Sequence, residues 1–472
     1  MIFNSFSFYL FLPVVFLLYW LPFKKKRLDW QNIILLIASY FFYCCWDWRF
    51  AFLIAFTSVS SYISALHIEN GRGKKGWLTF NVVINLCILG FFKYFGFFVD
   101  SFKALLGLFG LNVSGPALQI ILPVGISFYT FQALGYTIDV YRGKIAASHN
   151  VLRFFTFLAF FPQLVAGPIE RASRLLPQFD QPRKFDYRQA SEGFSLIIKG
   201  LILKIVVADR LAVFVDGVYH NPSTASGLSV IFAIIFFAFQ LYTDFYSYSE
   251  IARGSSKLLG IEIMLNFRRP YLSQSFKEFW KRWHISLSSW FMDYVYIPLG
   301  GNRKGQARWA VNVFIVFLLS GLWHGASWTF VAWGFCCALC MVFLDKPLSH
   351  TARIPAFNQL VVFLMWALSL ILFRAQTFSD ALQLFSAIGF GHTDGLLAFG
   401  LGKEELTFTW ILLLLLIVQE CYFERRAEKF MLRYLQSPAW VRMVCALCGI
   451  LLIVFLGRYG IGNESKFIYF QF

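Results

Sequence analysis

Two of the chain's seven histidines, His284 and His324, fall within residues 276–328, in contexts that suit proton transfer. His324 is bracketed by Gly321 and Gly325 and follows a mostly apolar run. A helix rising from Trp309 climbs roughly 22 Å at 1.5 Å per residue and carries that imidazole into the depth of a membrane. An ionisable side chain is costly there, so the placement favours a functional histidine over a core histidine bonded to a neighbouring helix. The two glycines predict a backbone break that opens a cavity and leaves amides able to hold an oxyanion. Trp280, Trp283 and His284 are spaced i, i+3, i+4, which predicts one face of an amphipathic or re-entrant helix at the cytoplasmic edge, with Glu278 and Arg282 paired on another. The same pattern also describes a Trp-rich interfacial anchor with an exposed histidine.

Other polar residues sit inside apolar runs. Asp244 with Gln240 suits positioning or a proton relay, whereas Asp209, Lys204 and Arg210 read as structural ion pairs. Cys336, Cys337 and Cys340 lack a second ligand pair and read as packing residues, so no metal set is expected. A deep histidine reached from a basic face suits a general base that deprotonates a hydroxyl attacking an acyl donor. Basic loops would hold the phosphates of acyl-CoA or an acidic carrier protein. The same residues fit a proton-coupled transporter or flippase of an envelope precursor, and a non-catalytic scaffold is a third reading.

The elements that must position these residues are membrane helices. Of 472 residues, 58% are hydrophobic and 14% charged, with a mean hydropathy of +0.62. That is far more apolar surface than one soluble core needs, so the class is an all-α, polytopic membrane protein embedded in the lipid bilayer. The formal charge of +17 is dispersed between apolar runs, with no nucleic-acid motif. About eleven spans are expected, beginning with residues 6–21, which has no basic region before it and no cleavage site after it. Pro123 and Gly125 break the span at 121–140 early, and the stretch 154–166 is too short to cross, so it reads as re-entrant or interfacial. Most of the 42 Lys and Arg lie in loops that alternate onto one side; Arg49, Lys103, Lys403, Arg458 and Lys466 are assigned to the other. The positive-inside rule makes the basic side cytoplasmic and the N-terminus outside. With no repeat or linker, residues 1–472 read as one membrane domain.

Several motifs carry a family resemblance: Leu122-Pro123-Val124-Gly125-Ile126-Ser127-Phe128-Tyr129, Phe160-Phe161-Pro162-Gln163-Leu164-Val165-Ala166-Gly167-Pro168, Phe279-Trp280-Lys281-Arg282-Trp283-His284, Tyr296-Ile297-Pro298-Leu299-Gly300-Gly301-Asn302-Arg303, Leu322-Trp323-His324-Gly325, and the terminal Phe467-Ile468-Tyr469-Phe470-Gln471-Phe472. The chain resembles the membrane-bound O-acyltransferase family, in its bacterial alginate O-acetyltransferase branch. The resemblance implies helices around a central tunnel, with His324 essential for catalysis and His284 near the cytoplasmic mouth. It further implies transfer of an acyl group, usually acetyl, to an exported polysaccharide with secreted or periplasmic acetyltransferase partner proteins. On this reading the protein sits in the bacterial inner membrane, holds no bound cofactor, and takes acetyl-CoA or a carrier-protein thioester as co-substrate. Trp280, Trp283, Ser286, Ser288, Asn302, Trp323, Gln240 and Asp244 are the expected tunnel or substrate-binding residues. One departure stands out: where relatives read Asp-Phe-Ser-Gly-Tyr-Ser-Asp, this chain has Asp244-Phe245-Tyr246-Ser247-Tyr248-Ser249-Glu250.

Overall fold

The computed structural model describes residues 1–21, 27–71, 73–111, 120–165, 167–350, 354–390, 399–458 and 467. The basic residues at 24–26, Arg72, Lys466 and the terminal motif after Phe467 lie outside them. Every expected span is a helix, and no strand occurs among the described residues. Among the described residues eight helices, fewer than the eleven or so spans expected, are long and apolar enough to cross a membrane; residues 6–20 form a shorter apolar helix.

The chain forms two compact units. The first, residues 1–190 with 255–264, contains α1 (Phe6–Trp20), α2 (Arg27–Cys44), α3 (Ala51–Glu69), α4 (Lys74–Leu108) and α5 (Ile126–Tyr141). The early break of the fifth span is present: Gly125, at φ +75°, precedes α5. A Cβ there would lie 2.3 Å from the Leu164 carbonyl oxygen, so glycine permits both the left-handed turn and the contact between two motifs. The short stretch is two helices, Val151–Ala159 and Phe161–Leu164, neither long enough to cross. Buried polar groups clamp this unit: Arg183 donates to Tyr19 Oη at 2.7 Å and Asn32 Oδ1 at 2.8 Å.

The second unit holds residues 191–254 and 265–472. Its helices are α6 (187–220, with a π-helical segment Ile202–Ala208), α7 (Gly227–Leu258), α8 (Phe276–Arg282), α9 (Ile285–Phe291), α10 (Gln306–His324), α11 (Trp328–Leu348), α12 (Pro355–Arg374), α13 (Lys403–Phe423) and α14 (Ala439–Leu456). Helix α8 starts because Ser275 caps it, its Oγ accepting from Glu278 N at 3.2 Å while Glu278 reaches back to Gln274 N at 2.8 Å. Helices α10 and α11 form a tight hairpin. A Cβ on Gly321 would lie 2.3 Å from the Phe330 carbonyl oxygen, and one on Gly334 equally close to that of Phe317. Without a hydrophobic force between helices in lipid, such small-residue contacts are what let two helices pack.

Gly321→Ala is therefore expected to destabilise the protein by about 1–3 kcal/mol through overpacking against backbone. Gly107→Ala, where nothing lies within 4 Å, is expected to be near neutral. Thermal unfolding of the two variants in detergent compares them directly, and equal midpoints would contradict the packing assignment.

Candidate active site

Helix α10 begins beside an exposed, basic segment at Arg303, Lys304 and Arg308 and ends at His324. Its 19 residues carry His324 roughly 27 Å along the helix axis. The helix does not break at Gly321, as the sequence suggests; that glycine stays helical and serves the contact with Phe330. The break comes at Gly325, whose N–H donates to the Gly321 carbonyl at 3.3 Å. The amide expected to hold an oxyanion is thus already engaged.

His284 is not on a helix face. Helix α8 ends at Arg282, Trp283 is extended, and His284 takes a left-handed conformation, φ 41° and ψ 55°, before α9 begins. The chain turns here because a neighbouring segment pins it. Asn266 accepts from Ile285 N through its backbone oxygen at 2.9 Å and from Ser286 Oγ through Oδ1 at 2.7 Å, while Arg268 N donates to Arg282 O at 2.9 Å. The expected pair of Arg282 and Glu278 forms at 2.6 Å, and Arg282 also holds Glu424 at 2.7 Å.

The two histidines, expected at separate depths, are neighbours. Their ring centroids are 6.4 Å apart, and His284 is only 1% exposed and His324 6%. Aromatic edges and faces enclose them: Trp323 and Trp333 lie 5.0 and 5.2 Å from His324, Phe373 lies 5.4 Å from it, and Phe245 lies 4.6 Å from His284. Both line a cavity of about 770 Å³ that reaches the exposed Lys277, Lys281, Asn302 and Gln306. Burial pushes the His284 imidazole down to about 3, so it is neutral at physiological pH. The His284 and His324 imidazoles, side by side at the inner end of a mostly apolar cavity with lysines at its mouth, can move a proton next to a substrate whose anionic end stays outside.

The profile of MBOAT, the membrane-bound O-acyltransferase family, matches residues 144–373. A Pseudomonas aeruginosa protein named probable alginate O-acetylase is 39% identical over 396 residues, covering 82% of this chain and 75% of that one. The chain belongs to the membrane-bound O-acyltransferase family. A Pseudomonas putida protein of the same name is 36% identical over 496 residues, with both chains covered completely. A peptidoglycan O-acetyltransferase of Helicobacter pylori is 30% identical over 517 residues, covering 98% of this chain and 95% of that one. Like its family, this multi-pass membrane protein is an O-acyltransferase.

In this acyltransferase Trp280, Trp283, Ser288 and Asn302 line the cavity with the histidines. Trp323 packs on both imidazoles, 5.7 Å from that of His284. Ser286 faces Asn266 instead, and Gln240 and Asp244 are not among the lining residues. Asp244 joins the ion pair assigned separately by sequence: Lys204 Nζ lies 2.7 Å from Asp244 and 2.9 Å from Asp209, all three buried. Arg210 leaves that group and donates to the Leu456 carbonyl at 2.9 Å. The residues of the departing motif contact one another through Lys199. Tyr246 stacks on Tyr242 and accepts from Lys199 Nζ at 2.5 Å, and Lys199 pairs with Glu250 at 3.2 Å. Gly200 lies against this turn, where an added Cβ would be 2.7 Å from the Ser247 carbonyl oxygen. Sequence reasoning missed Asn266, a lone polar residue in the apolar stretch 263–267, and Phe373 and Trp333, which look like any other apolar helix residues.

Two outcomes follow from this geometry. His284 gives a folded-state pKa below its unfolded value of 6.5, so the stability it contributes is present above that value and is lost as pH falls. Between pH 7 and pH 5 the wild type is expected to lose ~2 kcal/mol more than His284→Gln. Unfolding midpoints at the two pH values test this, and parallel losses in both proteins would refute it. Lys204→Met leaves two buried carboxylates facing each other, with an expected cost of about 3–5 kcal/mol in unfolding experiments. A midpoint unchanged from wild type would show that the triad is not what holds α6 to α7.

Proposed function

We propose that this enzyme takes an acetyl group from a cytoplasmic thioester, acetyl-CoA or a carrier-bound thioester, and passes it across the inner membrane for O-acetylation of an exported polysaccharide. The observation that carries the reading is the buried histidine pair at the inner end of a cavity whose mouth bears Lys277 and Lys281. The lysines suit the phosphates of the donor, which remain outside while the thioester reaches inward. His324 acts as general base. It takes the proton of an acceptor hydroxyl as the oxygen attacks the thioester carbonyl; the tetrahedral intermediate collapses, the C–S bond breaks, and the proton passes to the departing thiolate. His284 orients the reacting groups beside it. The aromatic wall keeps water from the thioester, which favours transfer over hydrolysis.

Acetyl as the group is supported by the relatives, whose names include alginate O-acetylase and peptidoglycan O-acetyltransferase. The direction of transfer is supported by the basic loops, which mark the cytoplasmic side and leave the N-terminus outside. The length of α10 adds to this, since it sets His324 far from that side. Secreted or periplasmic acetyltransferase partner proteins then deliver the acetyl group to the polymer.

His324→Gln is expected to lower acyl transfer by about 10²–10⁴-fold without unfolding the protein. The assay uses purified protein in proteoliposomes with acetyl-labelled CoA, and mass spectrometry of surface polysaccharide from cells carrying the variant. Full acetylation by a folded His324→Gln protein would overturn the assignment.

A further inference from the structure

The neighbourhood of His284 determines which of its nitrogens carries the proton. Ser286 N faces the side chain of Asn266 at 3.3 Å, and a backbone N–H can only donate. The atom it faces is therefore Oδ1, which fixes the amide orientation. The other amide atom, Nδ2, then donates to Ser249 Oγ at 3.1 Å. Ser286 Oγ lies 2.7 Å from the same Oδ1, which has no proton to give, so the hydroxyl spends its single proton there. What Ser286 Oγ turns toward His284 Nδ1, at 3.5 Å, is a lone pair. Nδ1 must then be the protonated nitrogen of a neutral ring, and Nε2 the bare one. His284 Nε2 is buried and has no hydrogen-bond partner among the described residues. His284 itself lines the cavity.

We infer that Asn266 and Ser286 are positioning residues that hold His284 as the Nδ1–H tautomer, so that Nε2 meets the bound substrate only as a hydrogen-bond acceptor. This rests on the cavity being the acyl-transfer site. It assigns His284 a chemical complement: an O–H or amide N–H donor on a substrate, such as the acceptor hydroxyl or an amide of the donor's thiol arm. It also excludes His284 as the donor that stabilises a tetrahedral oxyanion, because a lone pair facing a negative oxygen repels it. The left-handed backbone at His284 belongs to the same device, since the bonds from Ile285 N and Ser286 N to Asn266 hold a conformation that a non-glycine residue otherwise avoids.

The test is ¹⁵N NMR of histidine-labelled full-length protein in nanodiscs, with the His284 signals identified by their loss in His284→Gln. The wild type is expected to show a protonated Nδ1 and a bare Nε2 at neutral pH. In Ser286→Ala the two signals are expected to move toward each other as the second tautomer becomes populated, and Ser286→Thr, which keeps the hydroxyl, is expected to restore the wild-type pattern. Acyl transfer is expected to follow, with kcat/KM down about ten-fold in Ser286→Ala and recovered in Ser286→Thr. A wild-type ring protonated at Nε2, or a Ser286→Ala spectrum identical to wild type, overturns the inference. The tautomer is read without substrate, so these results stand whether or not His324→Gln abolishes transfer.

Discussion

The approach of α10 to α11 is the constraint on which the histidine-lined cavity depends. At Gly321 and Gly334 each helix presses a carbonyl oxygen against the other's bare Cα, and no side chain stands between the two backbones. The side chains displaced from that seam go to its flanks. Trp333 and Phe330 are sent toward Phe373, and together with Trp323 they close around the last turn of α10. Lipid offers no hydrophobic force to hold such a hairpin, so dispersion at the seam must do so, and it falls away steeply with any added distance. A single methyl at the seam would therefore reach His324 by moving the rings around it.

Against this hairpin stands a second device of a different kind. The segment from Asn266 to Arg268 runs beside the junction of α8 and α9 and bonds to it at both ends, through Arg268 N to Arg282 O and through Asn266 to Ile285 and Ser286. Hydrogen bonds in a dry interior are strong and directional, and here they hold a backbone conformation that the residues alone would avoid. Packing locates one histidine and polar bonding locates the other. Their meeting at 6.4 Å needs both.

Several charges of the second unit act as fasteners away from the cavity. Lys204 of α6 pairs with Asp209 on its own helix and with Asp244 of α7, and Arg282 ties α8 to Glu424 just beyond α13. Inside a membrane protein an unpaired charge is expensive enough that each such group finds a partner, whichever helix supplies it. The Lys199, Tyr246 and Glu250 contacts show the same economy: a carboxylate and a phenol share one lysine.

The sequence by itself determined the membrane class, the helical character of the chain, the early break at Gly125 and the short stretch at 154–166, and it singled out the two histidines, because these depend on local composition and on residues that punctuate a helix. It placed Trp280, Trp283 and Asn302 at the same site as well, through motif resemblance. Only the tertiary structure decided that His284 leaves the helix, that its neighbour is His324, and that Asn266 bonds beside it, since Asn266 reaches a partner 20 positions further along the chain. Likewise Asp244 reads as part of a proton relay until Lys204 is seen to hold it. Periodicity reports which residues can share a helix face. It is silent about which helices meet, and in this protein the two histidines come together where they do.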